Sequence, residues 1–330
     1  MFDVRSHPLN PGLPGDARVE ILSIMDLDLK RRDFLKFSAA ALAAAGLNAT
    51  GSFAAPAAKR PIRKGYKLGG SLGGKRMSLL DQFKLFKEAG YEGVEPMAGW
   101  DQDEVLRARD ATGLAIPSIC CNTHWVKPLT DPNPATRAIT VEALKNTLRE
   151  GKRYGARSVL LVPGVVNEHV SYADAWTRSQ AEIRKAVPLA EELGVKIAIE
   201  NVWNGFLLSP LEAARYVDEF KSPAVAWHFD IGNIIATGWP EQWIRILGKR
   251  IATLHIKEYS RKKRDEEGLR KGFEVEYLEG DNDWPTVMKA LDEIGYEGWG
   301  IAEPAYRPKG VDPLERVKEI SRRMDRIFAS

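Results

Sequence analysis

Between residues 66 and 303 the chain alternates short apolar runs with longer stretches of amphipathic, helical spacing. The apolar runs cover residues 66–72, 93–97, 116–121, 158–163, 196–201, 224–230, 252–259 and 298–303, and each reads as a strand buried on both faces. Helical spacing covers, among others, residues 79–89, 135–154, 172–193, 210–220 and 284–294. Strands that alternate with helices and lack hairpin turns pair in parallel, and eight of them close on themselves. The expected fold class is therefore α/β, a single (β/α)₈ barrel. A doubly wound open sheet is the nearest competitor, but it calls for a Gly-rich dinucleotide fingerprint after the first strand. The segment Gly69-Gly70-Ser71-Leu72-Gly73-Gly74 has neither that spacing nor the acidic partner, so it reads as a loop.

A single barrel needs roughly 200–250 residues, fewer than the 330 present, which leaves room for an N-terminal extension. With 44% hydrophobic and 28% charged residues the chain can build a large core. A net charge of +3 gives no broad electrostatic footprint for nucleic acid or anionic membrane. The basic run Arg261-Lys262-Lys263-Arg264 is followed at once by Asp265-Glu266-Glu267 and reads as a solvated, self-compensating loop. Cys120 and Cys121 are neighbours, so a bond between them would be badly strained, and they read as two small core residues.

The N-terminus has the layout of an export address. Lys30-Arg31-Arg32-Asp33-Phe34-Leu35-Lys36 precedes an alanine-rich apolar run over residues 37–47, and small residues follow through Ala58. A basic segment, a short apolar segment and a small-residue region are the order of a signal peptide. Paired arginines before Phe-Leu-Lys resemble the twin-arginine signal. The run is shorter than the ~20 residues of a bilayer span, so no stable membrane insertion is expected. The expected division is an extension with a twin-arginine signal peptide over 1–58 and the catalytic barrel over 59–330, with the export machinery as one partner and the periplasm or exterior as destination. The tidy signal begins at Met25, which makes Met25 the hypothesised start; N-terminal sequencing of an uncleaved precursor beginning at Met1 would refute that.

Barrels of this kind carry their chemistry where strands end. Ionisable and amide side chains gather at those ends: Glu95, Asn122, His124, Glu200, Asn201, His228, Asp230, His255, Lys257 and Glu303. Four of them, Glu200, Asp230, His255 and Glu303, close apolar segments on four successive strands. Three acids converging without a cation would repel one another and raise their pKa values, and a divalent ion removes that conflict. Three carboxylates and one imidazole suit Mn²⁺, Mg²⁺ or Co²⁺, with Zn²⁺ also compatible, and Mn²⁺ is the first expectation.

These motifs resemble those of a known family. Glu200-Asn201, Asp230-Ile231-Gly232-Asn233, His255-Ile256-Lys257 and Ala302-Glu303-Pro304 are similar to the strand ends of the xylose-isomerase-like TIM-barrel sugar phosphate isomerases and epimerases. Within that family the likeness is nearest to the L-ribulose/L-xylulose-phosphate 3-epimerase, hexulose-phosphate isomerase and D-tagatose 3-epimerase branch. Val202-Trp203-Asn204, Leu207-Leu208-Ser209-Pro210, Leu247-Gly248-Lys249-Arg250-Ile251 and Glu279-Gly280-Asp281-Asn282-Asp283-Trp284 carry it further. The resemblance implies that Glu200, Asp230, His255 and Glu303 hold the metal, and that Glu200 and Glu303 are also the acid/base pair. They would remove and return a proton next to a carbonyl, through an enediolate.

Glu95, His124, His228, Lys257 and Arg307 are expected to bind substrate hydroxyls or charge, and Trp125, Trp203 and Trp239 to wall a sugar face. An exported enzyme meets few phosphosugars, so a free ketose or ketosugar is the expected small-molecule substrate. The same site suits a lyase that cleaves 3-keto-glycosides by β-elimination, and a non-catalytic sugar-binding protein would share the fold. A DNA-repair endonuclease on this barrel needs a histidine-rich multi-metal cluster, which five histidines do not supply. The oligomeric state stays open, a homo-oligomer included.

Overall fold

The structure is a computed structural model that describes residues 60–69, 77–306, 308 and 310–330. The export segment, the 58/59 boundary, most of the glycine-rich loop after the first strand, and Arg307 lie outside the described residues. Eight strands form one parallel sheet: β1 (Ile62–Lys67), β2 (Gly93–Glu95), β3 (Ser118–Cys120), β4 (Ser158–Leu161), β5 (Lys196–Glu200), β6 (Val225–Asp230), β7 (Ile251–Ile256) and β8 (Gly298–Ala302). Their order is β2-β1-β8-β7-β6-β5-β4-β3. Between β2 and β3 parallel bridges Gly93–Ala115 and Met97–Cys120 close the ring, with Val94 N–H donating to Ala115 O and Ala98 N–H to Cys120 O. The expected barrel is what the chain forms.

Several strands are shorter than expected, β1 ending at Lys67 and β7 at Ile256, and two departures have a clear physical cause. β1 begins at Ile62, four residues before the expected start, because its first half carries two consecutive charges, Arg63 and Lys64, instead of running apolar. Outward-facing Lys64 reaches Asp325 and Ser321 of the C-terminal helix Pro313–Ala329, while Tyr66 packs on Phe86 and Tyr91. Arg63, Gly65 and Lys67 therefore face inward. The expected helix over 172–193 is two helices, Tyr172–Arg184 and Val187–Leu193. Pro188 lacks the N–H that would bond Arg184 O, and its ring crowds that carbonyl.

Helix starts are written locally. Ser209 and Glu212 form a reciprocal capping box with Pro210 in the first turn, and Ser78, Asp101, Ser171 and Asp312 cap their helices with side-chain oxygens. The basic run expected as a loop is instead part of a short helix, Arg261–Glu267. Arg261 donates to the carbonyls of Ile235 and Gly238, and Arg264 to that of Ala236, so both arginines pin the segment after β6. Cys120 and Cys121 are both free and buried. Among the described residues no helix is long and apolar enough to cross a membrane.

The apolar core proper lies between the barrel and its helices, with Phe83, Phe86, Leu144, Ile197, Trp227, Phe229 and Ile320 fully enclosed. Inside the barrel the floor is closed by Trp299, over which the Arg63 guanidinium lies 4.1 Å from the ring centroid. Gly93 makes room for that indole: an added Cβ would stand 2.6 Å from Trp299 Cζ3 and 2.9 Å from Ala115 O. Gly93→Ala is expected to overpack this floor and cost about 1–3 kcal/mol, read as a lower urea midpoint with an unchanged m-value. An unchanged midpoint would show that the indole is not wedged there.

Candidate metal centre and active site

Inward-pointing residues of the last four strands reach the carboxyl ends together because their registers are matched. Glu200 pairs with His228, Asp230 with His255, and Ile301, two residues before Glu303, again with His255. His255 Nδ1 lies 3.1 Å from Glu200 Oε1, 3.3 Å from Glu303 Oε2 and 3.9 Å from Asp230 Oδ2. Each of these four residues offers a ligand atom within 4.8 Å of the other three. Lys257, two residues beyond His255 on the same face, puts its ammonium 2.6 Å from Asp230 Oδ2 and 2.5 Å from Glu303 Oε2.

Three residues expected to touch substrate lie deeper than expected. Glu95 has no exposed surface, and its Oε2 sits 2.8 Å from His255 Nε2. His228 is equally buried, with its ring edge-on to His255 at 4.1 Å between centroids, and neither of its nitrogens makes a hydrogen bond. His124, in the loop after β3, is 2% exposed, and its Nδ1 accepts from Val162 N–H at 3.3 Å. Trp203 joins Phe273 and Tyr259 and donates to Asn233 O, whereas Trp125 and Trp239 are about half exposed at the rim.

Lys67 belongs to the site although no sequence motif marks it. Its ammonium lies 2.7 Å from Glu303 Oε1, so the two lysines hold the two oxygens of one carboxylate. The usable signal was alternation: once β1 is set to end at Lys67, this residue is inward and at the carboxyl end. Asn201 and Asn233 were likewise given no role. Asn201 accepts from Asp230 N–H and Trp227 Nε1–H and donates to Asp230 O; Asn233 N–H donates to Asp230 Oδ1, and its amide to Asn201 O. Together they fix the turn that aims Asp230. Glu258 takes hydrogen bonds from Leu278 N–H, Asn282 and Trp284 Nε1–H, tying down the loop after β7.

Charges inside this enclosure are strongly coupled. Burial raises Asp230 to about 6 against the pull of Lys257. For Glu303 burial is outweighed by Lys257 and Lys67, which hold it well below the usual carboxylate range. Glu95 is held at about 2 because the His255 charge overcomes burial. Burial also opposes charge on His255 and Lys257, yet Glu95 and Glu303 raise the first and Asp230 and Glu303 the second. Burial drives His228 well below its ordinary value, with the charge of His255 adding to the shift.

This donor set fits a divalent ion. Three carboxylates and one imidazole, with ligand atoms all within 4.8 Å of one another, are a set that could share one such ion. The Lys257 ammonium already bridges two of the four, and Glu303 Oε2 makes no hydrogen bond of good geometry despite being buried.

The chain belongs to the xylose isomerase-like TIM barrel family, whose profile matches residues 83–327. An L-ribulose-5-phosphate 3-epimerase of Escherichia coli O1:K1 is 24% identical over 252 residues, covering 72% of this chain and 86% of that protein. An inosose dehydratase of Clostridium perfringens is 26% identical over 160 residues, covering 45% of this chain, and the chain spans 53% of that relative's length. Among solved structures, the 3-keto-D-glucoside 4-epimerase YcjR from E. coli superposes with a TM-score of 0.67 at 16% identity, over 80% of this chain and 99% of that one. The family thus includes sugar epimerases, and this chain is similar to them.

His124 gives the site a testable acid limit. Burial, helped by Lys67, lowers its pKa to about 3, so the folded protein keeps it neutral while the unfolded chain protonates it near pH ~6.5. A depressed histidine makes the unfolded state the better proton binder below that value. Stability is therefore expected to fall as pH drops from about 6.5 toward 3, by up to ~1.4 kcal/mol per pH unit from this group. His124→Asn, whose amide oxygen can still accept from Val162 N–H, should flatten that slope in urea titrations at pH 7 and 4.5. Parallel losses in both proteins would rule out a buried neutral His124.

Proposed function

We propose that this chain is a divalent-metal-dependent sugar epimerase or isomerase that moves a proton on the carbon beside a carbonyl. The observation that carries this reading is the set of four ligand atoms, three carboxylate and one imidazole, brought within 4.8 Å at the ends of β5 to β8. A bound divalent ion, Mn²⁺ foremost, would supply Lewis-acid polarisation of the sugar carbonyl. The protein's own groups do the rest. Glu200 and Glu303 enter from β5 and β8 with two strands between them, so a sugar carbon held between the two could lose its proton to one of them as the carboxylate and gain a different proton from the other as the carboxylic acid. Lys67 and Lys257 keep Glu303 ionised and fixed in place. Trp203 and Phe273 stand beside Lys257 as an apolar wall.

A free ketose or ketosugar is the proposed substrate, with export through the twin-arginine route as part of the same proposal. The two lysines nearest the centre are already engaged with carboxylates, which leaves them poorly placed to recognise a phosphate. One observation favours a second reading, elimination from a 3-keto-glycoside. Trp125, Leu208, Trp239 and Leu269 are all more than half or about half exposed in segments that follow β3, β5, β6 and β7, on the face where the site opens. Such a rim suits an apolar aglycone, and the YcjR structure is that of a 3-keto-D-glucoside 4-epimerase.

The test is incubation of Mn²⁺-loaded protein with free ketoses and 3-keto-glycosides in D₂O. Deuterium is expected at the carbon next to the carbonyl, and Glu200→Gln and Glu303→Gln should each lower its rate by roughly 10²–10⁴-fold. Full exchange in either variant removes the acid/base assignment. Release of an aglycone with an unsaturated ketosugar would select elimination, and binding without exchange would make this a sugar-binding protein.

A further inference from the structure

Below the four donors lies a second group, Glu95, His228 and His255, whose ligand atoms also come within 4.8 Å of one another and which has no exposed surface. Chemically this trio would also suit an ion: Glu95 Oε1 and both nitrogens of His228 make no hydrogen bond. The two groups share His255, and that sharing decides between them.

The imidazole of His255 stands between the groups, with one nitrogen toward each. Nδ1 faces Glu200, Asp230 and Glu303 at 3.1–3.9 Å, and Nε2 faces Glu95 Oε2 at 2.8 Å. A neutral imidazole has one N–H and one lone pair, and a carboxylate only accepts. With its hydrogen on Nε2, the ring donates to Glu95 and presents its lone pair to the three outer carboxylates. An ion in the inner trio would need the opposite tautomer, which takes the lone pair away from the outer group. One neutral ring serves one of the two positions.

We infer that Glu95 is the positioning residue for the metal ligand His255, fixing its tautomer and ring plane from across the barrel so that the Nδ1 lone pair is offered to the outer group. The inference rests on the proposed metal-dependent reading of that group. Its geometry is a strut: Glu95 leaves the three-residue strand β2 and meets a ring on β7, spanning the interior. Carboxylates that bond a ligating imidazole in this way orient the ring and raise its basicity, and their loss typically weakens metal binding 10–100-fold. This role also differs from the substrate contact expected of Glu95, since no part of it reaches solvent.

The experiment is calorimetric titration of Mn²⁺ into ion-stripped wild type, Glu95→Leu, Glu95→Gln and Glu200→Gln, with circular dichroism to establish folding and the visible spectrum of the Co²⁺ form to report the ligand field. Wild type should bind one ion. Glu95→Leu should bind one ion roughly 10–100-fold more weakly, with an altered Co²⁺ spectrum. Glu95→Gln keeps an acceptor but loses the charge, so it should fall between the two and carries the test if the leucine variant does not fold. Wild-type affinity and spectrum in a folded Glu95 variant overturn the inference, as does a second ion in wild type that disappears in Glu95→Leu. If Glu200→Gln binds Mn²⁺ as wild type does, or wild type binds none, the outer-group reading fails and takes this inference with it. If only Glu200→Gln is impaired, Glu95 alone is wrong.

Discussion

Mutual repulsion among four acids in one small enclosure governs this molecule. Glu95, Glu200, Asp230 and Glu303 all point into the barrel interior around His255, three of them almost wholly withdrawn from water. Two like charges 4 Å apart repel by about 4 kcal/mol at an effective dielectric of 20, so the fold is tenable only with cations interleaved. Lys67 and Lys257 supply two, and in the ion-free protein a protonated His255 supplies a third. With His255 neutral, a divalent ion and the two lysines would bring the enclosure to formal neutrality. The surrounding network has the same purpose: Asn201 and Asn233 lock the Asp230 turn, and Glu258 anchors the loop beside Lys257.

Much of this was legible in the sequence. The strand pattern of a barrel is carried by runs that are apolar on both faces, and β4 to β8 obey it, so Glu200, Asp230, His255 and Glu303 stood out as polar endings to apolar segments. β1 does not obey it. Arg63 lies against an indole and Lys64 against the C-terminal helix, so a genuine barrel strand carries two charges that each find a local partner. That displaced the apparent end of the strand and hid Lys67.

Other misses have a different cause. Glu95 was recognisable as a polar strand end, but its partner lies 160 residues away on β7, and spacing along the chain says nothing about which groups meet across a barrel. The helix break before Pro188 was readable from proline alone and was overridden by continuous amphipathic spacing on both sides. The basic run at 261–264 reads as solvated by composition. What recruits Arg261 and Arg264 is a set of backbone carbonyls after β6, and carbonyls leave no trace in side-chain patterns.

The stacked pair of Arg63 and Trp299 at the base has a consequence for traffic. Because the indole and guanidinium stop the lower end, the barrel is a blind well and not a tunnel. A ligand that came in from the carboxyl end would have to go back out through that same end.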